Sequence, residues 1–176
     1  MFCFVGRLTI DKGIKELFTA FDRLNKEISN TALILVGKPE LDLDSSLKSF
    51  LENKSVILVG EKPSKDIKKY ISASDVLVHP THREGFGMVL QEAGAMQTAI
   101  ITTDIPGAGE VFENGKSCLL VPAKDDENLY LAMKRLCLDF DLRDKLAVEA
   151  RKKTEETYDR SIMLKYQHDF YTELGV

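Results

Sequence analysis

The chain has 176 residues, of which 44% are apolar, and this is enough to bury one sizeable hydrophobic core. Its 24 basic and 28 acidic residues give a net charge of -4, so it carries no basic field for nucleic acid. No stretch approaches the roughly 18 continuous apolar residues of a membrane span, and the first residues lack the profile of a signal peptide. We therefore expect an intracellular domain that does not bind nucleic acid.

Six short apolar runs alternate along the chain with segments of helical periodicity. The runs are nearly continuous in apolar character, as strands covered on both faces must be. They lie at residues 2–7, 32–37, 55–60, 75–80, 98–103 and 117–122. Between the first two runs, Ile14, Leu17 and Phe21 fall at helical spacing. The alternation predicts an α/β fold of the Rossmann-like type: a doubly wound, six-stranded parallel sheet with helices on both faces.

The two ends of the chain predict a division into residues 1–157 and 158–176. The first strand begins at the second residue, as in a chain cut between two domains, so we expect a further domain to precede this one. After the last strand, apolar residues share one face of a final helix. They are Ile162, Met163, Tyr166, Phe170 and Leu174. This helix is expected to pack either on the sheet of its own domain or toward the preceding domain.

The loop after the first strand carries two cations beside a glycine. Arg7 follows Gly6, and Lys12 lies five residues further on, where the first helix begins. Ligands of open parallel sheets bind beyond the carboxyl ends of the strands. A guanidinium can hold two phosphate oxygens and an ammonium can neutralise a third, so the two cations suit a diphosphate. The alternative is that both are solvated surface residues.

The stretch REGFGMVLQE, residues 83–92, predicts a glycine turn followed by a helix that starts near Gly87. The first backbone N–H groups of such a helix, those of Gly87, Met88 and Val89, have no intrahelical acceptor and form an anion site. Gly85 and Gly87 allow the backbone to approach a ligand closely.

The same stretch places one carboxylate on each side of the turn. Glu92 is four residues after Met88 and so lies on the same helix face, whereas Glu84 precedes the turn. Two carboxylates beside a phosphate need neutral hydrogen-bond donors, and sugar hydroxyls are such donors. A nucleotide sugar carries a diol on both sides of its diphosphate. The pattern therefore predicts that Glu92 binds the ribose, Glu84 the transferred sugar, and the helix start the phosphates.

Other residues near the turn allow different interpretations. His79 and His82 have a spacing found in metal sites, but Pro80 lies between them and no nearby cysteine completes a set, so structural histidines are favoured over a zinc site. Phe86 either stacks on a ligand or fills the core, and the core is favoured. A dinucleotide fingerprint is disfavoured, because Leu90 stands at the third glycine of G-x-G-x-x-G.

Four segments taken together resemble one enzyme family. They are GRLTIDKG (6–13), SASDVLVHPTHREGFGMVLQEAGAM (72–96), ITTDIPGAGEVFENGKSCLLVPAKD (101–125) and the closing helix. They are similar to the C-terminal, donor-binding half of family-4 retaining glycosyltransferases of GT-B architecture, and Glu84 and Glu92 match the E-x7-E motif of that family. The resemblance covers essentially the whole chain. One departure is GAGE at 107–110, where many members have GIPE.

The resemblance implies a role for each of these residues. Arg7 and Lys12 would contact the donor diphosphate, Glu84 the donor sugar and Glu92 the ribose. The loop at 60–63, which includes Lys62, would lie against the base. Transfer would proceed with retention and without a metal or other cofactor, with Arg7, Lys12 and Glu84 as the catalytic residues.

The resemblance also implies a biological role. The chain would be the donor half of a hexosyltransferase-type enzyme that uses a nucleotide sugar, with a UDP-sugar favoured, to extend a glycan or lipid-linked acceptor in polysaccharide or capsule synthesis. Without the N-terminal acceptor domain we expect it to be inactive. In the complete cytoplasmic protein, that domain would supply any peripheral contact with the inner face of the membrane. Two alternatives stay open: a non-catalytic nucleotide-sugar binding module and a GT-B sugar-nucleotide epimerase.

Overall fold

The computed structural model describes residues 1–39 and 50–174, and these contain one six-stranded parallel sheet. The strands are β1 (Phe2–Val5), β2 (Leu33–Val36), β3 (Val56–Gly60), β4 (Val76–His79), β5 (Ala99–Thr103) and β6 (Leu119–Val121). Their order in the sheet is β3-β2-β1-β4-β5-β6, and each neighbouring pair is parallel. The predicted doubly wound sheet and the positions of its six strands are confirmed.

Helices cover both faces of this sheet. They are a short 3-10 helix (Ile10–Lys12), α1 (Ile14–Glu27), α2 (Ser64–Ser72), α3 (Met88–Ala95), α4 (Asp126–Leu138), α5 (Phe140–Thr157) and α6 (Arg160–Glu173). On one face α1 packs against α4, and on the other α3 packs against α5. Among the described residues, no helix is both long and apolar enough to cross a membrane.

The strands are apolar on both sides because successive side chains enter two separate cores. In β1, Phe2 and Phe4 join the core under α1 and α4, whereas Cys3 and Val5 join the core under α2 and α3. The neighbouring strand β2 alternates in the same way. Because both faces of the sheet are covered, a polar side chain at any of these positions would be buried. This explains why the strands are continuous apolar runs.

The C-terminal helix α6 lies outside both cores. None of its residues is buried, and it contacts the preceding helix α5. Tyr166 and Phe170 on its apolar face are 64% and 57% exposed. In the described chain this helix therefore adds nothing to the two cores over the sheet. Packing toward a preceding domain stays a prediction.

The strand order reverses between β1 and β4, and the loops that follow these two strands meet at their carboxyl ends. The backbone N–H of His82 donates to the carbonyl of Asp11 at 2.8 Å. Gly13 has a φ of 70°, and a Cβ at this position would lie 1.9 Å from the carbonyl oxygen of Pro80. A glycine at 13 is therefore what allows the two loops to touch.

Replacing Gly13 with alanine should destabilise the fold more than replacing Gly115, which has a similar φ of 73° but no atom within 4 Å of the added Cβ. Gly115→Ala carries only the left-handed backbone penalty of about 1–2 kcal/mol. Gly13→Ala adds a clash with rigid backbone, which we expect to cost about 1–3 kcal/mol more. Urea unfolding of the two variants measures the difference, and equal losses would show that the loops do not depend on this contact.

Candidate functional site

An open cavity of about 420 Å³ lies where the carboxyl ends of β1 and β4 meet. Its lining comes from the loops after both strands, from the start of α3 and from α2. The lining residues are Val5, Gly6, Lys12, Ile67, His79, Glu84, Phe86, Gly87, Met88, Val89 and Glu92. The structure thus brings together most of the residues that the sequence singled out. It adds Val5, Ile67 and His79, which the sequence analysis did not assign to this site.

Three predicted residues do not line the cavity in the described part of the chain. The side chain of Arg7 is 67% exposed, with Nη2 3.9 Å from Oδ2 of Asp11. Lys62 follows β3, the edge strand, two strands away from β1. Gly85 lies in the turn, and a Cβ there would meet no atom within 4 Å. Arg7 still starts from the same strand end as Gly6 and lies beside the cavity.

Helix α3 begins as predicted, with Gly87 as its N-cap at a φ of 62° and Met88 as its first residue. The first hydrogen bond of the helix runs from the N–H of Leu90 to the carbonyl of Gly87, at 3.0 Å. Within the described chain, the N–H groups of Met88 and Val89 have no acceptor. Both residues line the cavity, so their N–H groups are available there, and anion binding at this helix start stays a prediction.

The carboxylate of Glu84 is held by three hydrogen bonds. Its Oε2 accepts from Nε2 of His79 at 2.9 Å and from Nζ of Lys12 at 3.1 Å, and its Oε1 accepts from the N–H of Gly85 at 3.1 Å. The bonds from His79 and then Lys12 hold the pKa of Glu84 far below its ordinary value, against the opposing effect of burial. Glu84 is therefore a fixed, ionised group at neutral pH.

Lys12 links the loops after β1 and β4. Besides Glu84, its Nζ donates to the carbonyl oxygen of Arg83 at 3.2 Å. Its side chain is 20% exposed, so the ammonium lies within the cavity rather than in bulk solvent. An ammonium has three N–H donors, and two are used here, so one is left for a ligand.

Glu92 lies one turn into α3 in a contrasting environment. Burial raises the pKa of this carboxyl, and the charge of Lys68 opposes the shift. A partly desolvated carboxylate of this kind is the one that gains most from hydrogen-bond donors that a ligand brings. The two acids thus differ: Glu84 has three hydrogen bonds, and Glu92 would be stabilised by donors that a ligand brings.

The two histidines contact different carboxylates. His79 bonds Glu84, whereas Nε2 of His82 lies 3.1 Å from Oε1 of Glu16 on α1. No group of three or more His, Cys, Asp or Glu side chains in residues 1–39 and 50–174 is placed to hold a metal ion. The two histidines therefore take part in two separate hydrogen bonds, each with one carboxylate.

Phe86 does not fill the core, which corrects the favoured expectation. It is 57% exposed, and it lies in the turn at the rim of the cavity. Its neighbours Gly85 and Met88 are exposed as well, so this part of the turn faces solvent and not a core. The remaining expectation, contact with a ligand, is compatible with this position.

Sequence reasoning missed the groups that hold the β4 loop in place. The hydroxyls of Thr102 and Thr103 on β5 donate to the carbonyls of His79 and Thr81, at 3.0 and 2.6 Å. Both threonines are buried. Their position at the end of an otherwise apolar strand was an available signal, because a buried hydroxyl needs a partner.

Comparison with known proteins agrees with this architecture. The model of the family described as glycosyl transferases group 1 matches residues 1–153. The capsular polysaccharide biosynthesis glycosyltransferase CapM of Staphylococcus aureus is 32% identical over 171 residues, which are 96% of this chain and 44% of CapM. The teichuronic acid biosynthesis glycosyltransferase TuaC of Bacillus subtilis, itself named as putative, is 33% identical over 119 residues, 68% of this chain and 28% of TuaC. The chain spans less than half the length of these relatives.

Solved structures show the same fold. The C-terminal domain of the group 1 glycosyl transferase LpcC from Francisella tularensis has a TM-score of 0.82 at 25% identity, covering 90% of this chain and 86% of that one. Anabaena HepE, solved in complex with UDP, has a TM-score of 0.86 at 20% identity, covering 99% of this chain and 48% of HepE. Since the family model matches most of its residues, the chain belongs to the glycosyl transferases group 1 family.

Proposed function

We propose that this chain is the donor-binding half of a retaining glycosyltransferase that transfers a sugar, in hexosyltransferase fashion, from a UDP-sugar to a glycan or lipid-linked acceptor in polysaccharide synthesis. One observation carries the proposal. The cavity at the carboxyl ends of β1 and β4 combines the open N–H groups of a helix start with two carboxylates, Glu84 and Glu92, in opposite electrostatic states. This combination suits a ligand that is anionic in its middle and rich in hydroxyls on both sides.

The diphosphate would bind at the start of α3. The N–H groups of Met88 and Val89 donate to its oxygens, and the third N–H of Lys12 supplies charge from the opposite loop. Arg7 follows Gly6 at the same strand end, has a side chain that is 67% exposed, and would donate to the same oxygens.

The two sugars of the donor would lie on either side of this diphosphate. Glu92 accepts from the ribose hydroxyls: it lines the cavity, and burial raises the pKa of its carboxyl, so neutral donors would stabilise its ionised form. Glu84 accepts from a hydroxyl of the transferred sugar through Oε1, which receives one bond, from Gly85. The base would lie toward Ile67 on α2, the helix that follows the loop with Lys62.

Catalysis would consist of stabilising the leaving diphosphate. As the bond between the anomeric carbon and the β-phosphate oxygen breaks, its electron pair stays on that oxygen. Arg7, Lys12 and the start of α3 offset the growing charge without a metal ion. The acceptor oxygen bonds to the anomeric carbon on the face that the diphosphate leaves, and its proton passes to the departing phosphate oxygen, so the configuration is retained.

The relatives guide the rest of the proposal. CapM is named for capsular polysaccharide biosynthesis, and HepE was solved with UDP, which makes UDP the first nucleotide to test. Because the chain covers 44% of CapM, we place the acceptor-binding domain in a segment outside this chain and expect the chain alone to be inactive. The exposed apolar face of α6 would pack on that domain. Any peripheral membrane contact would also belong to it.

Calorimetric titration of the chain with UDP, GDP and ADP, without added metal, tests the binding proposal. We expect UDP to bind, and Glu92→Ala to weaken its binding by about 1–3 kcal/mol, the scale of hydrogen bonds to a charged group. Glu156→Ala is the matched control, because it removes the same charge from an exposed position on α5. The proposal fails if no nucleotide binds, or if both variants behave alike.

Arg7→Ala tests the catalytic proposal in the complete gene product that contains this chain. We expect the turnover number to fall about 100-fold, because the charge on the leaving diphosphate loses a direct partner. Arg135→Ala, which removes an exposed guanidinium from the end of α4, should leave turnover unchanged. Steady-state kinetics with a saturating nucleotide sugar measures both, and equal turnover in the two variants would remove Arg7 from the mechanism.

A further inference from the structure

We propose that His79 is a positioning residue for Glu84: it donates Nε2–H to the carboxylate and fixes the oxygen that receives the donor sugar. This inference rests on the proposed function and deepens it. No pattern in the sequence marked His79 for this role, since it ends a buried strand and precedes Glu84 by five residues.

The imidazole of His79 is immobilised on several sides. The residue is 2% exposed, and its ring lies nearly parallel to that of Phe4, with 6.4 Å between centroids and 23° between planes. Its carbonyl accepts the hydroxyl of Thr102 at 3.0 Å, which holds the backbone at the strand end. A ring fixed in this way presents its Nε2 at one place and in one direction.

The surroundings of the ring also select its tautomer. Nδ1 is buried and has no hydrogen-bond partner in the described part of the chain. A hydrogen on Nδ1 would be a buried donor without an acceptor, which is costly, whereas an unpaired lone pair costs less. The hydrogen therefore belongs on Nε2, where Oε2 of Glu84 accepts it at 2.9 Å.

The two carboxylate oxygens of Glu84 have different numbers of hydrogen-bond donors. Oε2 receives both His79 and Lys12, whereas Oε1 receives the N–H of Gly85 and keeps a lone pair for a further donor. When Lys12 also serves the diphosphate, its bond to Glu84 is shared with a second anion. His79 has no such second acceptor, so it keeps the carboxylate oriented while the ligand is bound.

Titration of the chain with two ligands separates this role from simple packing. UDP lacks the transferred sugar, whereas UDP-glucose, UDP-galactose and UDP-N-acetylglucosamine carry one, and the tightest of the three serves as the probe. His79→Leu should weaken binding of that nucleotide sugar about tenfold while leaving UDP binding unchanged, because one hydrogen bond to a charged group no longer orients Glu84. His79→Gln, whose amide nitrogen reaches the Nε2 position, should restore most of the lost affinity.

The outcomes separate the two proposals. If the wild-type chain binds neither UDP nor any nucleotide sugar, the proposed function fails and this inference falls with it. If the wild type binds both but His79→Leu keeps the same ratio of affinities, the inference alone is overturned. An equal loss for both ligands, accompanied by a lower melting temperature, would show that His79 only packs and would also overturn it.

Nitrogen-15 NMR of the imidazole gives a readout that does not depend on ligand. The proposal requires the wild-type spectrum to show a protonated Nε2 and an unprotonated Nδ1 for His79. A proton on Nδ1 in place of Nε2 would contradict the donor role, even in a chain that binds nucleotide sugars.

Discussion

The contact between Lys12 and Glu84 is the constraint on which the site depends, because it joins two loops that leave the sheet in opposite directions. The loop after β1 leads to α1 on one face, and the loop after β4 leads to α3 on the other. A crevice at such a reversal exists in any doubly wound sheet. The ion pair, with Gly13 close to Pro80, sets the distance between the walls and so the width of the cavity.

Electrostatics then gives the two acids of one motif different properties. Glu84 lies where donors converge, so its pKa is lowered, whereas Glu92 lies on a helix face where burial raises the pKa. A ligand with hydroxyls would add to the bonds of the first and supply the missing donors of the second. The neighbouring helix start has no acidic residue in its first turn, and we propose that its N–H groups bind the anion.

The sheet and the start of α3 could be predicted from the sequence, because both follow from local patterns: continuous apolar runs and a glycine before a helical segment. The partners of Glu84 could not. Lys12 reaches Glu84 from the loop after β1, on the other side of the point where the strand order reverses. His79 ends β4, a strand whose apolar sequence indicated only core residues. Both contacts depend on tertiary packing, which no local pattern shows. Phe86 was misjudged for a related reason: the general preference of aromatic residues for the interior does not show which way a turn presents one particular ring.

NMR mapping of backbone amide chemical shifts on adding UDP-glucose tests most directly whether the cavity at the ends of β1 and β4 binds a nucleotide sugar. We predict the largest chemical-shift changes at Gly87, Met88 and Val89, with smaller changes along the loop that carries Lys12. A second, charged groove of about 340 Å³ lies between residues 110–117 and α5, and it serves as an internal comparison. Shifts confined to that groove, or no shift at the start of α3 at saturating ligand, would contradict the assignment of the cavity to a nucleotide sugar.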